Sequence, residues 1–266
     1  MNEAATGTGQ VLCDIQDDVA WITLSNPGKL NALSVNMWRA LQRVFEAVAD
    51  EQGVRCVVVR GENGNFAAGA DISEFPEVRS DFDGVYEYHV GMIAPALQAI
   101  ARCPHPVIAQ IDGVCVGGGL EVASQCDMRI AGESSRFGVP ITKLGFSMAP
   151  HEMRGLLALA GKAVTLEILY EGRVFGAAEA QAKGLLNRVV ADEDVAGSVR
   201  QSVGRILRGS PIAARLNKQV ANLLADPDLG LTEAELRGCF GYADSRDHRE
   251  GVRAFLAGED PVFEGV

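Results

Sequence analysis

Apolar and polar positions follow two different periods along the chain. Val11–Asp17 and Ala20–Ser25 read as strands separated by a turn at Asp17-Asp18. Ser34 is a good helix N-cap, and Met37, Leu41, Val44, Phe45 and Val48 follow it at helical spacing. Between Arg55 and Arg60 the run Cys56-Val-Val-Val59 has the continuous apolar character of a buried parallel strand. A loop at Gly61–Asn65, a long helical pattern over Gly84–Arg102 closed by Pro104, and β-like runs at Pro106–Ile111 and Asp127–Ala131 follow. This alternation predicts βαβ units and a parallel sheet.

From about Glu152 the pattern is mostly helical. It predicts helices over Leu156–Glu171, Ala177–Lys183, Val195–Leu207, Ile212–Leu224, Thr232–Tyr242 and Arg246–Leu256, with Leu185–Val190 as a further apolar run. Residues 1–190 therefore read as an α/β core and residues 191–266 as a helical region. Helices that cannot bury both faces on their own core suit an oligomer interface.

Composition narrows the function classes. The chain has 266 residues, 47% of them apolar, enough for a sizeable core. A net charge of −11 argues against a nucleic-acid partner held by a general electrostatic field. The six cysteines include no CxxC pair, so zinc ligation is not expected and reduced cysteines in a cytoplasmic protein are. Met1–Gln10 lacks the apolar segment of a signal peptide, and no apolar run has the length of a membrane span.

The candidate chemistry lies in two glycine-containing segments. Asn65-Phe-Ala-Ala-Gly-Ala-Asp-Ile72 and Val116-Gly-Gly-Gly-Leu-Glu121 each put small residues where a strand gives way to a turn or helix. Small side chains leave backbone N–H groups open to a ligand, and two such groups converging on one oxygen form an oxyanion hole. No phosphate-loop, dinucleotide or nucleophile-elbow motif accompanies them. Glu121 is the one charge in an otherwise apolar helix. It can serve the helix dipole alone, or, desolvated beside the glycines, it can exchange protons with a substrate.

These segments, with Asn26-Pro-Gly-Lys-Leu-Asn-Ala-Leu33, Pro106–Gly113, Phe137-Gly-Val-Pro140, Gly176–Leu185 and Arg249–Phe255, resemble the crotonase (enoyl-CoA hydratase/isomerase) superfamily over almost the whole chain. The resemblance implies an α/β fold: a spiral of ββα units over 1–190 with a C-terminal helical trimerisation region over 191–266, in a homotrimer or dimer of trimers. It implies an acyl-CoA thioester as ligand and no cofactor beyond the coenzyme A of the substrate. Ala70 and Gly118 match the oxyanion-hole amides, and Glu121 matches an acid–base glutamate. Lys29 and Leu30 match the segment along the CoA, and Ala68, Asp71 and Ile72 match the adenine pocket wall. The acyl pocket is expected between the helix over Val85–Gln98 and the loop over Ile141–Met148.

Two departures stand out. Hydratases of this type carry a second glutamate directly after the proline that Pro140 matches; this chain has Ile141 there, which can neither take nor give a proton. The following loop brings Ser147, His151 and Glu152 near the expected site, with Ser147 and His151 as candidate substitutes, unless His151 and Glu152 simply open the next helix. The terminal Ala254–Pro261 segment is acidic where relatives are basic. The expectation is an enoyl-CoA hydratase/isomerase-type enzyme. The alternatives are a binding member with little hydratase activity, or an isomerase, dehydratase, decarboxylase or hydrolase with another acid–base residue.

Overall fold

A computed structural model describes residues 9–225 and 232–266. Nearly all of the segment read for a signal peptide, residues 1–8, lies outside those described. In chain order the strands are β1 (Gln10–Gln16), β2 (Val19–Ser25), β3 (Cys56–Gly61), β4 (Val107–Ile111), β5 (Val114–Val116), β6 (Met128–Gly132), β7 (Arg136–Gly138), β8 (Phe175–Gly176) and β9 (Arg188–Val190). They form a six-stranded sheet in the order β1-β2-β3-β4-β6-β9 and a three-stranded sheet in the order β5-β7-β8.

β1 and β2 make the predicted hairpin, with Gln16 opposite Val19. Asp17 and Asp18 turn it at φ +49° and +62°, the left-handed pair that a two-residue hairpin needs. From β2 to β9 the large sheet is parallel. The chain alternates between the sheets: β4 then β5, β6 then β7, each pair followed by a helix. After β3 the same step is taken by Ala67, which bridges to Cys115 of β5. This is the expected spiral of ββα turns, and the helices it implies fall where the periodicity places them.

Both faces of the large sheet are covered, which explains the unbroken apolar run of β3. Val57 and Val59 join Trp38, Leu41 and Phe45 of the Val35–Asp50 helix in the main core. Cys56 and Val58, with Ile108 and Ile130, pack on the other face against Val199 and Val203. Those two come from the Val195–Leu207 helix, so a helix beyond residue 190 lies on the sheet. The Arg246–Ala257 helix instead leaves Val252, Phe255 and Leu256 exposed.

Two details set up the site. Gly84–Arg102 is helical, but its centre, Glu87–Ile93, is a π-helical stretch, and the Ala94 amide donates to the His89 carbonyl five residues back. Pro95 lies just beyond; its ring cannot sit over the carbonyl of Gly91 in a regular turn. The Gly118–Gln125 helix is anchored at its C-terminus by buried Arg129, which donates to the carbonyls of Cys126 (2.5 Å) and Leu185 (2.8 Å).

Candidate active site

The two glycine segments run side by side because Ala67 is stitched to β5 from both directions. Its amide donates to Val114 O at 2.9 Å, and Val116 N donates back to Ala67 O at 3.0 Å. Just beyond, Leu33 fixes the chain on either side of Ala70: Leu33 N donates to Gly69 O (2.7 Å) and Asp71 N to Leu33 O (2.9 Å). The Ala70 amide between them donates to nothing in the described protein, and neither does the Gly118 amide at the start of its helix. The two lie close together, since a methyl built on Gly118 would sit 3.5 Å from Ala70 N.

Two of the three glycines are required by geometry. Gly117 has φ +52° and ψ −122°, a conformation that side chains resist. A Cβ on Gly119 would fall 2.2 Å from the Ala67 carbonyl oxygen, so only a bare backbone lets the helix come so near.

Ala68, Ala70, Gly118 and Glu121 line one cleft with Trp38, Ile72, Arg79, Tyr88, His89, Ile141, Phe146 and Glu152. Glu121 is 5% exposed, and its carboxyl oxygens have no hydrogen-bond partner in the described protein. Burial, and then the nearby charge of Glu152, hold its pKa well above the ordinary carboxylate range. This favours the protonated form, from which a proton can be delivered. Arg79 lies over the rings of Phe75 and Phe146, 4.3 Å from each centroid, as part of the cleft lining.

Ile141 is 8% exposed and presents an apolar side chain to the cleft. Neither Ser147 nor His151 lines it. Ser147 is exposed, and the His151 ring meets Gln98 Nε2 at 3.4 Å on another side of the helix. The neighbouring Glu152 does line it. The Pro150–Glu171 helix buries Glu152, Gly155 and Leu156, an i, i+3, i+4 stripe that excludes position 151. Glu152 does open its helix, with Oε2 accepting from Ala149 N at 3.3 Å, but its other oxygen, Oε1, meets His89 Nδ1 at 2.5 Å.

His89 was not singled out from the sequence, and Glu152 was placed near the site without an acid–base role. The stripe just described is a signal that could have separated Glu152 from His151, and Pro95 inside a helical pattern is a signal of irregularity near His89.

Of the residues matched to CoA binding, Ala68 and Ile72 line the cleft and Lys29, Leu30 and Asp71 do not. Leu30 is exposed, and its carbonyl accepts from Ala68 N at 3.0 Å. Lys29 Nζ bonds Asp71 Oδ2 (2.6 Å) and Ser73 Oγ (2.9 Å). Burial alone would raise the Asp71 pKa, but these hydrogen bonds from Lys29 and Ser73 outweigh it and hold the group below its ordinary value. Among the described residues no three His, Cys, Asp or Glu side chains gather to hold a metal, and no helix is long and apolar enough to cross a membrane.

A family profile described as enoyl-CoA hydratase/isomerase matches residues 14–266. A putative enoyl-CoA hydratase/isomerase of Bacillus subtilis is 34% identical over 252 residues, covering 94% of this chain and 96% of that protein. The crystal structure of an enoyl-CoA hydratase/carnithine racemase from Magnetospirillum magneticum superposes with a TM-score of 0.93 at 40% identity over 96% of each chain. A putative enoyl-CoA hydratase/isomerase family protein from Hyphomonas neptunium gives 0.90 at 37% identity, covering 96% of this chain and 98% of its own. Profile, sequence and fold agree with the geometry of the cleft: this chain belongs to the enoyl-CoA hydratase/isomerase family of the crotonase superfamily.

Proposed function

We propose that this chain processes acyl-CoA thioesters, with enoyl-CoA as the substrate type, by stabilising a thioester enolate. The thioester oxygen accepts hydrogen bonds from the amides of Ala70 and Gly118, and Glu121 carries the proton to or from Cα. One observation carries this reading: two adjacent amides without acceptors open on the same cleft as a buried carboxyl without a partner. Amides held in place before charge develops stabilise the enolate without reorganising. Lys29, Leu30, Ala68, Asp71 and Ile72 are the CoA-binding residues of this proposal.

Cys56, Cys103, Cys115 and Cys126 are buried and unbridged, which supports a reducing, cytoplasmic setting. Exposed Phe240, Val252, Phe255 and Leu256 support burial of the helical region in a homotrimer or a dimer of trimers.

Glu121→Gln tests the proposal. Turnover is expected to fall roughly 10³-fold, with binding of a saturated acyl-CoA nearly intact. Unchanged turnover rejects it. Ile141 favours a second reading, a binding member without hydratase activity. A wild-type protein that binds crotonyl-CoA, never hydrates it and exchanges no Cα hydrogens of a saturated acyl-CoA would establish that instead.

A further inference from the structure

An imidazole able to transfer protons lines the same cleft as Ile141, 52 residues from it in sequence. His89 lines the cleft with Glu121 and Glu152. Its Nδ1 meets Glu152 Oε1 at 2.5 Å, with both side chains nearly buried, at 11% and 4% exposure. An ionised carboxylate only accepts, so Nδ1 carries the hydrogen and the lone pair of a neutral ring is on Nε2. Nε2 has no hydrogen-bond partner in the described protein. The backbone offers an independent observation. His89 sits inside the π-helical stretch Glu87–Ile93, and its carbonyl is the acceptor of the five-residue bond from Ala94. Such widened turns gather at functional sites because they redirect a side chain that a regular helix would place elsewhere.

We propose that His89, positioned by Glu152, is the second acid–base group of this enzyme and makes it a hydratase despite Ile141. The inference rests on the enolate reading above. His89 Nε2 takes a proton from a solvent water as the water oxygen bonds to Cβ of a trans-2-enoyl-CoA. The C=C electron pair moves toward the thioester oxygen, forming the enolate at the Ala70 and Gly118 amides. The enolate collapses to the carbonyl as protonated Glu121 gives its proton to Cα. His89 then returns its extra proton through solvent to Glu121, and the net change is one water added across the double bond. Glu152 touches no reacting atom. It fixes the tautomer and ring orientation and stabilises the imidazolium as it forms.

The test compares two reactions. Hydration of crotonyl-CoA needs both groups, whereas exchange of the Cα hydrogens of butyryl-CoA with D2O needs only Glu121 and the amides. In His89→Asn, hydration is expected to fall roughly 10²- to 10⁴-fold and exchange less than tenfold. In Glu152→Gln, kcat for hydration is expected to fall while KM changes less than threefold, and Glu152→Asp to recover part of the loss. The Glu152 pair serves as the second measurement if His89→Asn does not fold. Wild-type hydration rates in His89→Asn overturn the proposal, as does equal loss of hydration and exchange. Wild-type protein that exchanges but never hydrates overturns it too, while leaving the enolate reading standing. Wild-type protein that does neither overturns both.

Discussion

One side of the cleft is backbone and the other is side chain. On the first, the amides of Ala70 and Gly118 are held by strand-to-strand hydrogen bonds around Ala67 and Leu33. On the second, Arg79, Tyr88, His89, Ile141, Phe146 and Glu152 come from three separate stretches of chain and meet through packing. Backbone donors serve any thioester, because every acyl-CoA presents the same carbonyl. The side chains decide which atoms receive protons and which acyl groups fit. Under the proposed function, the first side therefore sets the class of chemistry, and the second sets the reaction.

Breaking the backbone side alone is expected to affect every substrate alike. Gly119→Ala would drive a Cβ to 2.2 Å from Ala67 O, so the Gly118–Gln125 helix must shift away from the strand that carries Ala70. Losing the alignment of one amide is expected to cost on the order of 100-fold in turnover, equally for every acyl-CoA in a panel. Phe146→Leu, on the other side, is expected instead to reorder the panel, with changes of about tenfold in either direction, on the scale of a methylene or two gained or lost. A Gly119→Ala enzyme that loses some substrates and keeps others would erase the distinction between the two sides.

The same division explains what could be read from the chain. Gly117 and Glu121 are legible because their signals are local: a glycine where a strand gives way to a helix, and one carboxyl in an apolar helix; Gly119 stands in the same run, but its constraint comes from Ala67, far off in sequence. The strand–helix alternation is legible for the same reason, since buried parallel strands and amphipathic helices have different periods. The His89–Glu152 pair is not. Its members are 63 residues apart and meet only once the π-helical stretch has turned one and the helix stripe has turned the other. Periodicity over Gly84–Arg102 reports a helix, and a five-residue turn inside it depends on Pro95 and on tertiary packing. His151 drew attention because an imidazole titrates near neutrality; its place one step off the buried stripe leaves it beside Gln98.

A smaller effect probes what Glu121 costs the fold. Burial, then Glu152, raises its pKa in the folded chain, while in the unfolded chain it ionises near its ordinary value of 4.5. Folding thus retains a proton that the unfolded state releases. Stability is fully present below about pH 4.5 and is lost as pH rises toward the folded pKa. Glu121→Gln removes that loss. The variant is expected to be more stable than wild type, with an advantage that grows with pH by at most about 1.4 kcal/mol per pH unit. Urea unfolding at two pH values, one mildly acidic and one mildly alkaline, measures it. An equal advantage at both would mean that Glu121 is ionised in the folded protein throughout.

The smallest effect concerns the rim, where side chain and backbone meet. Lys29 is half-exposed and already committed to Asp71 and Ser73, and Asp71 in turn caps the short Ile72–Glu74 turn that follows Ala70. With the Lys29 ammonium half-exposed and Asp71 nearly buried, the pair contributes on the order of 1 kcal/mol to folding. Its larger role is to hold the Asp71 side of the turn whose other end presents the Ala70 amide. Lys29→Met is therefore expected to lower stability by on the order of 1 kcal/mol and to weaken acyl-CoA binding a few-fold. If Lys29 also meets a CoA phosphate, the binding loss shrinks as salt rises, because screening has already removed that attraction from the wild type. If Lys29 acts only through Asp71, the ratio of the two affinities is the same at low and high salt. Titrating both proteins with a saturated acyl-CoA at two ionic strengths separates a residue that binds ligand from one that braces the amide beside it.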